Sequence, residues 1–278
     1  MAISNSVNTN PGAYVALQNL SKTNMELEQT QNRINTGLKV ASAKDNGGIY
    51  AIAQKMRAEV AGYGVVQQSL DRGQSTVDVS LSAGEAISDL LIQMKEKALG
   101  AADESLDTQS RDALNEDFKA LRDQIATIVE NAEFNGVNLI DGSTTGGFVA
   151  LANAEGSNTI TVGSEDMSLS GSIVTLSSTA SFGTASDAST IATQIDTSLE
   201  NVNESLARLG TKSKALEIHA TFATKLSDEL ETGIGNLVDA DLAKESAKLQ
   251  ALQVKQQLGI QALSIANQAP QSILGFFQ

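Results

Sequence analysis

The side chains in this sequence that could do chemistry are few and poorly spaced for it. A single histidine, His219, stands in Glu217-Ile218-His219-Ala220. General-base catalysis needs a base within reach of a nucleophile, and a metal site needs converging ligands; neither adjoins His219. It reads as a solvated or partly packed residue between the apolar positions of a helix. No His-Glu-x-x-His motif occurs, and one histidine cannot supply such a site. The chain has no cysteine, which excludes disulfides, zinc–thiolate centres and thiol catalysis. Gly146-Gly147 lacks both the spacing and the lysine of a phosphate-binding loop. The acidic pairs Asp103-Glu104 and Asp228-Glu229 read as solvated faces or helix-end charges. No catalytic residue, cofactor or metal is expected, and the sequence points away from an enzyme.

Partners are restricted as well. A formal net charge of −14 over 278 residues repels phosphate, so neither nucleic acid nor an anionic membrane surface is an expected partner. No run of about 18 apolar residues is present, so no membrane insertion is expected. Residues Met1 to Asn10 carry no Lys or Arg and no apolar stretch, so a cleaved Sec signal peptide is not expected. The protein either stays inside the cell or leaves by a route that reads something else.

What remains is packing. The two prolines, Pro11 and Pro270, lie near the ends, and the stretch between them permits very long helices. Asn10-Pro11 predicts a helix start, with Asn as the cap and Pro at the first helical position. Pro270 predicts a stop at the far end. From Ala13, alternating steps of four and three meet Leu17, Leu20, Asn24, Leu27, Gln31, Ile34, Leu38 and Ala41, an apolar seam with polar interruptions. From Leu114 they meet Phe118, Leu121, Ile125, Ile128 and Ala132. From Leu199 they meet Val202, Leu206, Leu209, Ser213, Leu216, Ala220, Ala223, Ser227 and Leu230. These are coiled-coil or bundle seams. A helix over 197–232 would extend about 54 Å at 1.5 Å per residue, too long for a compact globule. Another is predicted over 77–103 with Leu91, Met94 and Ala98 inward, and Asp107-Thr108 caps the next.

The carboxy-terminal segment differs in kind. Leu242, Leu249, Leu252, Leu263 and Ala266 form one stripe; Ala247, Ala251, Val254, Leu258 and Ile265 form a second, offset from it. One intramolecular helix covers one stripe, and the other must meet another chain or stay exposed. Residues 142–189 are rich in Gly, Ser and Thr. Phe148-Val149-Ala150-Leu151, Thr159-Ile160-Thr161-Val162 and Ser172-Ile173-Val174-Thr175 read as strands, with Ala154 to Asn158 as a turn. The Ser and Thr residues there suit either O-linked sugars or an undecorated loop. The predicted fold is mainly α: a long antiparallel helical bundle or coiled coil formed by the amino- and carboxy-terminal halves, with a small β-hairpin insertion in the middle.

Several runs carry a resemblance. Val7-Asn8-Thr9-Asn10-Pro11-Gly12-Ala13 is followed by Asn32-Arg33-Ile34-Asn35-Thr36-Gly37-Leu38-Lys39-Val40, Ala43-Lys44-Asp45-Asn46-Gly47-Gly48 and Ile52-Ala53-Gln54-Lys55-Met56-Arg57. Phe134-Asn135-Gly136 and Leu139-Ile140-Asp141-Gly142 follow. Near the other end stand Asp239-Ala240-Asp241-Leu242-Ala243, Gln257 to Leu263, and Ala266-Asn267-Gln268-Ala269-Pro270-Gln271. In that order these motifs closely resemble both terminal regions of bacterial flagellins, over about 1–142 and 190–278, with a likeness to the short alphaproteobacterial, Caulobacter-like type.

The resemblance implies a subunit that polymerises into the flagellar filament used for swimming. It implies an inner-tube domain (D0) from 1–45 and 235–278 and a rod domain (D1) from 46–142 and 190–234. The β-rich insertion 143–189 would belong to the rod, with no large outer domain. Packing between subunits is expected at Leu17, Leu20, Leu27, Ile34, Leu38, Leu242, Leu249, Leu252, Val254, Leu258, Leu263 and Ile265. The rod core is expected at Leu114, Phe118, Leu121, Ile125, Ile128, Leu199, Val202, Leu206, Leu209 and Leu216. Implied partners are further copies of the chain, the flagellar export apparatus, an export chaperone, and the cap and hook-junction proteins. Export through the filament channel would place the protein outside the cell. A hook–filament junction protein and a cytoplasmic coiled-coil binding module are the alternatives. The sequence departs from the family pattern at Gly235-Asn236, where an Arg is common, and in the aromatic ending Leu274-Gly275-Phe276-Phe277-Gln278. It also departs at Ile92-Gln93-Met94-Lys95-Glu96-Lys97, which predicts weak or no recognition by the innate immune receptor that reads many enteric flagellins.

Overall fold

The computed structural model describes residues 9–274, by their backbone alone from 269 onward. The Val7-Asn8 start of the first motif, the leader reading of Met1 to Asn8, and Gly275-Phe276-Phe277-Gln278 lie outside that range. The described residues form α1 (Pro11–Thr36), α2 (Gly47–Ala101), α3 (Thr108–Asn131), β1 (Glu133–Phe134), β2 (Val137–Asn138), β3 (Phe148–Leu151), β4 (Thr159–Val162), α4 (Ala185–Val238) and α5 (Leu242–Leu274).

Most helices begin on a side chain that accepts an otherwise unpaired amide. Asn10 Oδ1 accepts from Ala13 N, Asn46 Oδ1 from Ile49 N, Asp107 Oδ1 from Ser110 N, and Asp241 Oδ1 from Lys244 N. α4 opens on a reciprocal pair, in which Thr184 N donates to Asp187 and Asp187 N donates to Thr184 Oγ1. α1 stops at Gly37, whose φ of 71° is left-handed.

Packing divides the chain into two units, Met1–Ala58 with Leu230–Gln278, and Glu59–Glu229. In the first, α1 and α5 pair antiparallel. The links after α1 are tied to the end of α4: Lys39 N donates to Val238 O at 2.6 Å and Ala240 N to Gly37 O at 2.9 Å. Val40, Ala53, Ile234 and Val238 are buried there.

The second unit holds the large core. Leu70, Ile87, Leu91 and Met94 of α2 pack with Phe118 and Ile125 of α3, Leu139 and Ile140 after β2, and Ile195, Val202, Leu209 and Leu216 of α4. Phe118 and Phe182 stack at 5.2 Å between ring centres, tilted by 56°. Two antiparallel hairpins complete it. β1–β2 turns on Asn135-Gly136, both with positive φ, and β3 pairs with β4 from Phe148↔Val162 to Leu151↔Thr159.

Four expectations change. The helix expected over 77–103 begins at Gly47. Glycines along α2 lie where neighbours need their space: a Cβ would meet Ala154 Cβ at 2.7 Å from Gly62, Phe148 Cε1 at 2.7 Å from Gly73 and Leu206 Cδ2 at 2.7 Å from Gly84. The helix expected over 197–232 extends across Ala185–Val238. Ser172-Ile173-Val174-Thr175 is no strand, because other groups satisfy its backbone. Thr175 N donates to Ser198 Oγ, Asn201 Nδ2 to Ile173 O, and Ile173 N to Asp166 O. Pro270 does not end α5, which continues to Leu274.

Candidate subunit-packing surfaces

The α1–α5 pair is the candidate site, and its inner face follows only part of the seam that hydrophobicity suggests. Thr23 and Thr30 are buried, and Ala13, Ala16, Leu20, Leu27 and Ile34 are half-buried beside them. The expected seam positions Leu17, Asn24 and Gln31 face outward, Leu17 with 52% exposure. Small side chains let two helix backbones approach closely, and Thr23 directs its hydroxyl to Asn19 O in its own helix. Across the pair, Gly259 lies under Leu20; a Cβ there would meet Leu20 Cδ1 at 3.3 Å.

Polar contacts mark the register. Gln256 Nε2 donates to Asn24 Oδ1 at 2.8 Å, and Arg33 Nη1 donates to Glu245 Oε1 at 3.0 Å. Lys255 Nζ lies 4.0 Å from Glu26 Oε2. Going down α1 from Asn24 to Arg33, the partners go back along α5 from Gln256 to Glu245, as an antiparallel pair requires. Buried Arg33 Nε and Glu245 Oε2 have no hydrogen-bond partner, so this ion pair is held by one contact.

The two stripes of α5 differ sharply in cover. Leu252 is buried, and Leu249, Leu263 and Ala266 are half-buried, while Leu242 is 49% exposed. In the second stripe Ala247 and Ala251 are exposed, as are Val254, Leu258 and Ile265 at 57, 59 and 68%. Tyr14, Val15, Leu17 and Met25 of α1 are exposed too; Leu38, after Gly37, is half-buried. Scattered exposed apolar residues are ordinary, but a stripe of them repeated along one helix is an interface signal.

In the second unit the rod-core candidates Phe118, Ile125, Val202, Leu209 and Leu216 are buried. Leu114, Leu121, Ile128, Leu199 and Leu206 are partly buried against the same core. Sequence reasoning missed the polar ties of this unit. Arg111, buried, donates from Nε to Ala101 O and from Nη2 to Asp103 O and Leu106 O, closing the α2–α3 link. Glu165 accepts from Ser205 Oγ at 2.7 Å and from Arg208 Nε and Nη2 at 3.0 and 2.7 Å. Burial disfavours the Glu165 charge, yet the Arg208 and Ser205 hydrogen bonds hold its carboxyl below the usual range. Asp103 and Asp107 are also lowered, chiefly by hydrogen bonds from Ser105 and Ser110. No short motif announces the Glu165 fork, whose partners lie 40 and 43 residues away in sequence.

His219 Nε2 lies 2.6 Å from Ala152 O, and its ring rests 5.8 Å from that of Phe222. Gly147 has φ of 75° and abuts Val162 O, closing the turn into β3. In the run Ile92 to Lys97, Met94 is buried, Lys95 pairs with Asp196 and Lys97 with Asp117. Among the described residues no group of His, Asp or Glu is placed to hold a metal ion, and no helix is long and apolar enough to cross a membrane.

Residues 7–145 match the family model of the bacterial flagellin N-terminal helical region, and residues 192–277 that of the C-terminal helical region. The chain is 57% identical over 274 residues to flagellin FljK of Caulobacter vibrioides, covering 99% of each. It is 56% identical to flagellin FljM of the same bacterium over the same length and coverage. To a flagellin of Brucella melitensis it is 37% identical, covering 98% of this chain and 99% of that one. A putative flagellar hook-associated protein from Vibrio parahaemolyticus superposes with a TM-score of 0.58 at 14% identity, covering 70% of this chain and 100% of that one, a likeness of fold alone.

Proposed function

The chain belongs to the bacterial flagellin family and is a structural subunit of the flagellar filament, and from that premise we propose that it polymerises through its terminal helix pair. One face of each helix closes the pair. The outward apolar residues of both meet neighbouring copies. The observation that carries this reading is the uncovered α5 stripe Val254, Leu258 and Ile265. Burying a leucine contributes about 1.5–3 kcal/mol, so a few such side chains per subunit suffice to drive association. The contacts are heterologous and do not close, which lets a filament grow.

The same reading assigns 1–45 with 235–278 to the inner tube, and 46–142 with 190–234 to the rod. It assigns 143–189 to the rod as its insertion. The packing unit Met1–Ala58 with Leu230–Gln278 supports the first assignment. The chain acts by assembling and carries out no reaction. Export through the growing flagellum, with a chaperone, a cap and hook-junction proteins as partners, follows from the family. The likeness to a hook-associated protein concerns fold and gives the junction reading no support.

Seeded growth of the full chain tests the proposal. Wild-type protein should extend filament seeds, visible by electron microscopy, whereas Leu258→Asp should remain monomeric with unchanged helix content. Filaments of normal number and width from Leu258→Asp and Ile265→Asp would overturn it.

A further inference from the structure

The two prolines of this chain act on one side chain. α5 runs through Pro270, whose nitrogen carries no hydrogen. The carbonyl of Ala266, four residues back, therefore lacks the amide partner that a helix interior provides. Asn10 supplies the donor: its Nδ2 donates to Ala266 O at 2.6 Å. The other end of the same amide is also engaged, since Oδ1 accepts from Ala13 N at 3.1 Å as the cap of the helix that Pro11 begins. Gly12 lies alongside, where a Cβ would stand 4.0 Å from Ala266 Cβ.

The Asn10 contact joins Arg33–Glu245 and Gln256–Asn24 in marking the register of the pair, and it does so at the end where both prolines lie. Ala16, Thr23 and Thr30 recur on the inner face of α1 at intervals of seven, as do Ala13, Leu20, Leu27 and Ile34. Sliding α1 along α5 by a heptad would still bring a small or apolar residue to most places on the inner face of α1, but it would break the Arg33–Glu245 and Asn24–Gln256 contacts. That slip would move the outward residues of α1 by about 10 Å against those of α5. A carbonyl freed within α5 by its proline is a unique address, because the other interior carbonyls already hold an amide.

We propose that Asn10 is a registration residue of the terminal pair, reading the carbonyl that Pro270 frees and thereby helping to align the outward residues of α1 and α5 for neighbouring copies. The inference rests on the terminal-helix reading of polymerisation given above.

Asn10→Asp separates the two roles of the side chain. It keeps an oxygen to cap Ala13 N, removes the donor to Ala266 and sets a carboxylate against that carbonyl. The critical concentration for seeded growth should rise about five- to tenfold, the worth of one hydrogen bond of this class. Pro270→Ala returns an amide to Ala266 O, so in that background the Asn10→Asp effect should shrink to less than half. Register is read directly in the cysteine-free chain by Gly12→Cys with Ala266→Cys, whose Cβ separation lies within the range of about 3.5–4.5 Å that a disulfide spans. Oxidised filaments should cross-link within each chain, and Asn10→Asp should lower the yield. Unchanged growth and unchanged yield in Asn10→Asp would overturn the proposal, as would an equal effect in both backgrounds. A loss seen with Asn10→Ala but not with Asn10→Asp would reduce Asn10 to a helix cap and overturn it too. Filament growth by Leu258→Asp would instead show that the terminal-helix reading has failed, whatever Asn10 does.

Discussion

The unit Glu59–Glu229 and the α1–α5 pair are both helical and both carry apolar heptads, yet they use them in opposite ways. In the first, Phe118, Phe182, Leu91, Met94 and Ile195 turn inward and are fully covered. In the second, buried threonines stand inward among half-buried alanines and leucines, while Leu17, Val254, Leu258 and Ile265 face outward. The first unit encloses a continuous apolar core, although Ile92, Leu99, Ile218 and Phe222 remain exposed on it. The second closes on itself with small residues, a row of partly covered leucines and a few polar contacts, and leaves a further stripe of large apolar side chains uncovered. A heptad records where a helix is apolar; which partner it serves depends on side-chain size.

The largest effect should separate the two regions. Phe118→Ala removes a fully buried ring packed on Phe182, and we expect a loss of about 3–5 kcal/mol in urea unfolding of the full chain. Leu17→Ala, at an exposed position, should change monomer stability by less than about 0.5 kcal/mol while weakening seeded growth. Equal losses of monomer stability in the two variants would break the comparison.

Particular residues show how far the sequence carried. The Asn10-Pro11 start and the Asp107 cap were legible because a cap is a local contact, and the helical architecture followed from long proline-free heptads. The inner face of α1 was legible only in part. Hydrophobic periodicity chose Leu17 over Ala16 and Thr23, although close backbone approach favours the smaller groups. The true start of α2 was hidden because Gly62, Gly73 and Gly84 are poor helix formers by themselves, and the need for them comes from Ala154, Phe148 and Leu206, far along the chain. Ser172 to Thr175 has the alternation of a strand but no neighbouring strand. Pro270 looked like a stop because Asn10, at the opposite end, is what accommodates it. For the candidate surface, spacing revealed two stripes on α5, but cover depends on α1, which spacing along α5 does not contain.

A middle-sized effect should come from Arg111, a buried charge held by three carbonyls rather than by a carboxylate. Arg111→Met should destabilise the second unit by about 2 kcal/mol, since hydrogen bonds to charged groups contribute about 1.5–3 kcal/mol. Arg111→Lys should recover little, because an ammonium cannot spread its donors over the three carbonyls. Thermal unfolding of the two variants measures both. Full recovery by lysine would show that charge, and not the fork, closes the α2–α3 link.

The opposite sign is expected in the terminal pair. Thr30 Oγ1 is buried without a hydrogen-bond partner, and Thr30→Val replaces that hydroxyl with a methyl of similar size. We expect about 1 kcal/mol of stabilisation, read as slower hydrogen exchange along α1 and α5. A loss of protection would show that the hydroxyl serves the pair.

The smallest effect concerns charge in the second unit. The carboxyl of Glu165 is buried enough to oppose ionisation, but Arg208 and Ser205 outweigh this and hold it below the usual range. The unfolded chain therefore binds this proton more readily than the folded one, so the pair stabilises the fold at neutral pH and loses that contribution as pH falls through and below the ordinary glutamate range. Arg208 is half exposed, and solvent screening keeps the contribution below about 1 kcal/mol. Urea midpoints of wild type and Glu165→Gln should thus differ slightly at pH 7 and converge in acid. A gap that persists at low pH would assign the difference to the shape of the glutamine and not to the ion pair.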